Sequence, residues 1–165
     1  MTIPLPLHLT IHLTLAIIVG FLVGRYYKKP GLGIILGIIG GFLIDLDHVL
    51  EYFLVYGLHF NLLYFSQGRE FLLSDKVHLW FHAWEYFPIL LICAWIFRKK
   101  KTIQMVLVTL AFAGLIHLAT DCLINHYPPK FYSLIYRAKA DFSAQTLVSP
   151  ADYQKNMELK AELGL

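Results

Sequence analysis

Four stretches of this chain stay apolar over about the 18 to 25 residues that a helix needs to cross a bilayer, and this limits the fold more than any other feature. They run from about residue 7 to 24, 31 to 56, 78 to 97 and 102 to 127. With 58% hydrophobic and only 15% charged residues among 165, the chain is too apolar for a soluble domain and too short for several domains. The expectation is an all-α membrane protein, a single polytopic domain over residues 1–165 with about four transmembrane helices in a bundle. Between the second and third spans, LHFNLLYFSQGREFLLSDK mixes polar, aromatic and leucine residues, the pattern of an interfacial segment lying along the membrane surface. Pro128-Pro129 stops the fourth span. In the polar tail, residues 128–165, Ser149-Pro150-Ala151-Asp152 offers the N-cap, first-turn proline and acidic residue of a short C-terminal helix.

The breaks RYYKKPG, 25–31, and RKKK, 98–101, are short and basic. The positive-inside rule places both in the cytoplasm and both termini outside, although Lys130, Arg137 and Lys139 follow the fourth span. No basic residue precedes the first apolar run and no small-residue cleavage site follows it, so that span is expected to persist in the mature protein. A net charge of +3, gathered beside apolar runs, gives no nucleic-acid-binding face. Cys93 and Cys122 have neither disulfide nor thiolate-metal spacing.

Ionisable residues inside the spans are concentrated. They are His8 and His12 in the first, Asp45, Asp47, His48 and Glu51 in the second, His78, His82 and Glu85 in the third, and His117, Asp121 and His126 in the fourth. With the topology above, every set falls in the outer half of the bilayer, while inner halves such as LAIIVGFLVG and ILLICAWIF carry none. Residues four apart share a helix face. This groups His8 with His12, His78 with His82 and Glu85, and His117 with Asp121. Asp45 and His48 share a face as well, whereas Asp47 points elsewhere on a regular helix. A faint repeat accompanies the pattern, since His8 and His12 precede His78 and His82 by 70 residues. Its symmetry axis would run along the membrane normal.

An unpaired Asp at the centre of a span costs about 2.5 to 3.5 kcal/mol, so Asp45, Asp47, Glu85 and Asp121 together represent on the order of 10 kcal/mol. Interhelical hydrogen bonds return only about 1 kcal/mol each. A divalent cation held by carboxylates and neutral imidazoles neutralises the charge directly. The ligand set suits zinc first, then manganese or iron, better than calcium. His59 and His126 read as satisfied or interfacial residues, Glu51 as reaching the outer interface, and WFHAWEYF and KFYSLIY as aromatic belts. Gly31, Gly33, Gly37, Gly40 and Gly41 read as close-packing positions, because no phosphate-loop Lys-Ser/Thr follows them.

His12, GGFLIDLDH (Gly40 to His48), HLWFHAWE (His78 to Glu85) and HLATD (His117 to Asp121) together resemble the membrane-bound metal-dependent hydrolase family, the YdjM-like inner-membrane hydrolases. Ile44 stands where that family has Pro, and HLWFH lacks its Arg and its Thr-His-Ser ending. The resemblance implies a short multi-span hydrolase whose metal residues correspond to Asp45, Asp47, His82, His117 and Asp121.

The expected function is hydrolysis of an ester or phosphoester of a lipid-like, amphiphilic substrate near the outer leaflet, by water activated on one or two divalent metals. The expected ligands are His12, Asp45, His48, His82, His117 and Asp121, with His8 and His78 less secure. Asp47 bridges or orients a ligand, and Glu85 acts as general base. Membrane lipids are the expected surroundings and source of substrate. A divalent-metal or proton transporter or channel, and a non-catalytic subunit stabilised by metal, use the same residues and stand as alternatives.

Overall fold

The computed structural model describes residues 3–165. In chain order the helices are α1 (Leu5–Tyr26), α2 (Pro30–Gly41), α3 (Leu46–Tyr56), α4 (Leu62–Ser66), α5 (Arg69–Ser74), α6 (Tyr86–Ile96), α7 (Lys101–Asn125), α8 (Leu134–Lys139), α9 (Ala144–Leu147) and α10 (Pro150–Glu162). Among the described residues there are no strands, only an isolated antiparallel bridge between Lys76 and Ser143. Three helical stretches are long and apolar enough to cross a membrane: Leu5–Tyr26, Pro30–Tyr56 and Lys101–Asn125. The second is interrupted by a 3-10 turn at Leu43–Asp45. The chain divides into two compact units, one running to Ile44 and including His82–Pro128, the other made of Asp45–Phe81 and Pro129–Leu165.

The third expected span is not one continuous helix. Residues 77–85 are non-helical, and α6 has only 11 residues, about 16 Å at 1.5 Å per residue against the roughly 30 Å of a hydrocarbon core. Pro88 supplies the reason. It has no N–H to give, and its ring would meet the carbonyl four residues back at Trp84, so the helix starts late enough to place Pro88 in its first turn. His78, His82 and Glu85 therefore do not share a helical face, and the helical HxxxH repeat holds only for α1.

In the first unit, α1 and α2 form a hairpin whose turn carries Lys28 at φ 60. A Cβ on Gly20 would overlap the Gly33 carbonyl, one on Gly37 would lie 2.8 Å from the Gly20 Cα, and one on Gly24 would lie 2.9 Å from the Gly33 Cα. Glycine is required there because backbone meets backbone. Gly40 and Gly41 also lie close to α7, where a Cβ would come within 2.8 Å of the Leu110 side chain and 3.2 Å of Ala113. Lys29 Nζ donates to Thr102 Oγ1 at 2.8 Å, so the two basic connections lie at the same end of this unit. Its outer surface carries Ile18, Leu22, Ile35, Ile92 and Trp95, all exposed, while histidines and an aspartate are buried within. Apolar outside and ionisable inside is the arrangement of a membrane protein.

The second unit has its own core of Tyr52, Leu72, Val77, Leu79, Phe131, Tyr132 and Leu147. Gly57, at φ 65, ends α3 where a residue with a side chain would be strained. The fully buried Arg137 donates from Nη2 to the Leu79 carbonyl at 2.9 Å and from Nη1 to the Phe131 carbonyl at 3.3 Å. The final helix starts as its sequence predicts, with Ser149 Oγ accepting from the Asp152 N–H at 3.1 Å and Pro150 in the first turn.

Candidate metal centre

The first unit gathers five of the expected residues. α1 presents His8 and His12 one turn apart, α7 presents His117 and Asp121 one turn apart, and the non-helical approach to α6 presents His82. None is more than 4% exposed, and they are the only buried ionisable residues of this unit among those described. They lie toward the end away from the basic connections, since His8 and His12 are near the start of α1 and His117 and Asp121 are in the later part of α7.

The geometry centres on one carboxylate. Asp121 Oδ1 lies 3.6 Å from His8 Nε2 and 3.2 Å from His12 Nε2, while Oδ2 lies 3.5 Å from His82 Nε2 and 3.3 Å from His117 Nε2. The His82 and His117 Nε2 atoms are 3.0 Å apart. His117 Nδ1 is 3.0 Å from the Gly41 carbonyl, which can only accept, so Nδ1 carries a proton. A neutral His117 then turns its Nε2 lone pair toward a carboxylate oxygen. His12 Nε2 makes no hydrogen bond despite its 3.2 Å approach to Asp121. Imidazole nitrogens and carboxylate oxygens brought this close are donors that a cation can bridge. Ligand atoms of a tetrahedral ion with bonds of about 2.0 to 2.1 Å stand about 3.3 Å apart, the spacing found here. The buried His and Asp groups can hold a metal ion, and Gly41 fixes the tautomer of one ligand as a carbonyl partner commonly does.

No protein-family model, curated protein or solved structure matches the chain.

Glu85 is half-buried at the N-cap of α6, three residues after His82. Asp45, Asp47, His48 and His78 belong to the second unit. There Asp45 is the N-cap residue of α3, and His48 is half-buried with its ring edge-on to Phe71. The buried face of α3 carries Asp47 and Glu51, one turn apart, with Tyr52, while Asp45 in the 3-10 turn and His48 are half-buried. Asp47 Oδ2 accepts the Phe81 N–H at 2.9 Å. Glu51, expected at the interface, is 2% exposed and meets His78 Nδ1 at 2.8 Å. His59 and His126 are exposed.

Two groups escaped the sequence reading. The Gly41 carbonyl is available because α2 ends at that residue, leaving its last carbonyls without intrahelical partners, and nothing in the sequence marks a helix end there. Glu70 is the other, a charged residue in a segment read as surface-lying but in fact 1% exposed. Burial pushes its carboxyl up to about 7, a hydrogen bond from its own backbone opposes this, and the Glu51 carboxylate reinforces it. The folded chain thus holds a proton that an unfolded one releases near the ordinary 4.5. Stability from this group is fully present below that value and falls as pH rises toward 7. Glu70→Gln is expected to remove that decline and to leave the protein about 2 kcal/mol more stable than wild type above pH 7, allowing for water near the group. Thermal unfolding in detergent from pH 4.5 to 8 checks this, and parallel pH profiles for the two proteins would refute it.

Proposed function

We propose that this chain is an integral-membrane, metal-dependent hydrolase of the kind its motifs resemble, acting on an ester or phosphoester of an amphiphilic substrate. The observation that carries the reading is the convergence of four imidazole Nε2 atoms on the two oxygens of one buried carboxylate. A divalent ion there, zinc by preference, would supply Lewis acidity and lower the pKa of water toward neutrality. The chain's own part is to hold and orient the donors. His8 and His12 are fixed by α1, His117 and Asp121 by α7, and the Gly41 carbonyl keeps the His117 proton on Nδ1. Glu85, beside His82 in sequence, is the carboxylate proposed to take the proton from the attacking water.

The proposed topology has four crossings, with α6 and the non-helical residues before it forming the third. The basic connections lie in the cytoplasm, the termini outside, and the segment with α4 and α5 along the membrane surface. Exposed Leu58, Phe60, Leu62 and Leu63 support the last placement. The site then lies near the outer leaflet, where lipid-like substrates are at hand. A conduit for ions would need ionisable groups continuing toward the basic end, but the buried residues there include Gly20, Gly24, Gly33, Leu36, Ala94, Met105 and the uncharged Thr109, and none that ionises among those described. This favours the hydrolase over the transporter.

Metal analysis of detergent-purified protein is the first test. Stoichiometric metal is expected in the wild type and less than a tenth as much in Asp121→Ala. Turnover of lipid phosphoesters follows, with Glu85→Gln expected to lose at least a hundredfold in kcat while keeping its metal. Wild-type protein without metal, or full activity in Glu85→Gln, overturns the corresponding part of the reading.

A further inference from the structure

We infer that the cluster is built for two divalent ions bridged by Asp121. One would be held by His8, His12 and Oδ1, the other by His82, His117 and Oδ2. The inference rests on the metal-centre reading above and adds how the donors divide. Each carboxylate oxygen approaches its own histidine pair, at 3.6 and 3.2 Å for Oδ1 and at 3.5 and 3.3 Å for Oδ2. The pairs come from different elements: α1 supplies one, while the approach to α6 and α7 supply the other. Within each pair the rings are close, with centroids 4.4 Å apart for His8 and His12 and 4.9 Å for His82 and His117.

Coordination chemistry favours the division. A single ion taking all five side chains would be nearly saturated, whereas catalytic ions characteristically keep three protein ligands and an open position. Shared between two ions, the same five residues give each a His-His-carboxylate set with room for a further ligand. A shared carboxylate would let two ions approach each other as closely as in two-metal hydrolytic sites, about 3.5 to 4 Å. The ring centroids of His12 and His117, one from each pair, are 4.1 Å apart, so the two half-sites adjoin.

The division makes Asp121 unlike the other four residues, because its loss strikes both ions while loss of either histidine pair strikes one. The test is metal stoichiometry on the full chain in detergent, freed of any histidine tag, loaded with Zn2+ or Mn2+ and desalted. Two ions per chain are expected in the wild type and one in both His8→Ala/His12→Ala and His82→Ala/His117→Ala. Asp121→Ala should bind both at least tenfold more weakly. Far-UV circular dichroism and gel filtration report whether each variant is folded. The wild type alone gives a second readout, since Mn2+-loaded protein should show the electron paramagnetic resonance signature of an exchange-coupled pair. One ion per chain with an isolated-ion spectrum would overturn the bridged pair and leave the metal-centre reading standing. No bound ion would overturn both.

Discussion

Treating purified protein with a metal chelator is expected to lower its Tm by about 10 °C, and Asp121→Ala is expected to show no such response. The size follows from linkage. An ion that binds only the folded chain and is present at about a thousand times its Kd stabilises by about 4 kcal/mol, and each kcal/mol moves a chain of this size by about 2 to 4 °C. The direction follows from the site itself. Asp121, 3% exposed, is surrounded by four imidazoles, one of which turns a lone pair toward it when neutral. Removing the cation leaves that charge without compensation in a setting with little water. Differential scanning fluorimetry in detergent, with and without chelator and after metal is restored, measures the effect. A Tm that chelation moves by less than about 1 °C would show that the donors satisfy one another without an ion.

Gly33→Ala is expected to destabilise the protein by about 3 kcal/mol, while Gly31→Ala, two residues away, should be neutral or slightly stabilising. A Cβ on Gly33 would overlap the Gly20 carbonyl and lie 2.6 Å from the Gly24 Cα. These are backbone atoms, so no side chain can swing aside, and α1 must move bodily from α2. Nothing lies within 4 Å of a Cβ on Gly31, where alanine simply restricts the unfolded chain. The damage should extend to the metal centre. α1 carries His8 and His12, and the end of α2 carries the carbonyl that holds His117. Separating these helices is expected to weaken metal binding at least tenfold, as measured by competition with a chromogenic chelator. Equal stability of the two variants would refute the close-packed hairpin as the support of the site.

Several parts of this arrangement are legible from residues alone. His8 with His12, and His117 with Asp121, recur at helical spacing inside long apolar runs, and both pairs reach the cluster on α1 and α7. The glycines of α2 read as packing positions, and Gly33 and Gly37 pack as expected while Gly31 stands in open space. HLWFHAWE is where spacing misleads. Its i, i+4 and i+7 pattern is that of a helix face, yet Pro88 delays the helix, and His78 pairs with Glu51. Pro88 was the available signal, and the length of the apolar run concealed it.

The sequence by itself determined that this chain places its ionisable residues inside apolar segments. Bilayer thickness, helical period and the cost of charge in hydrocarbon act on local stretches and can be read from them. Only the tertiary structure decided which of those residues meet. It assembled His8, His12, His82, His117 and Asp121 from three parts of the chain, freed the Gly41 carbonyl to orient one of them, and buried Glu70 in the other unit. These outcomes depend on where helices end and how closely their backbones approach. Such long-range geometry has no signature in the spacing of residues along one helix.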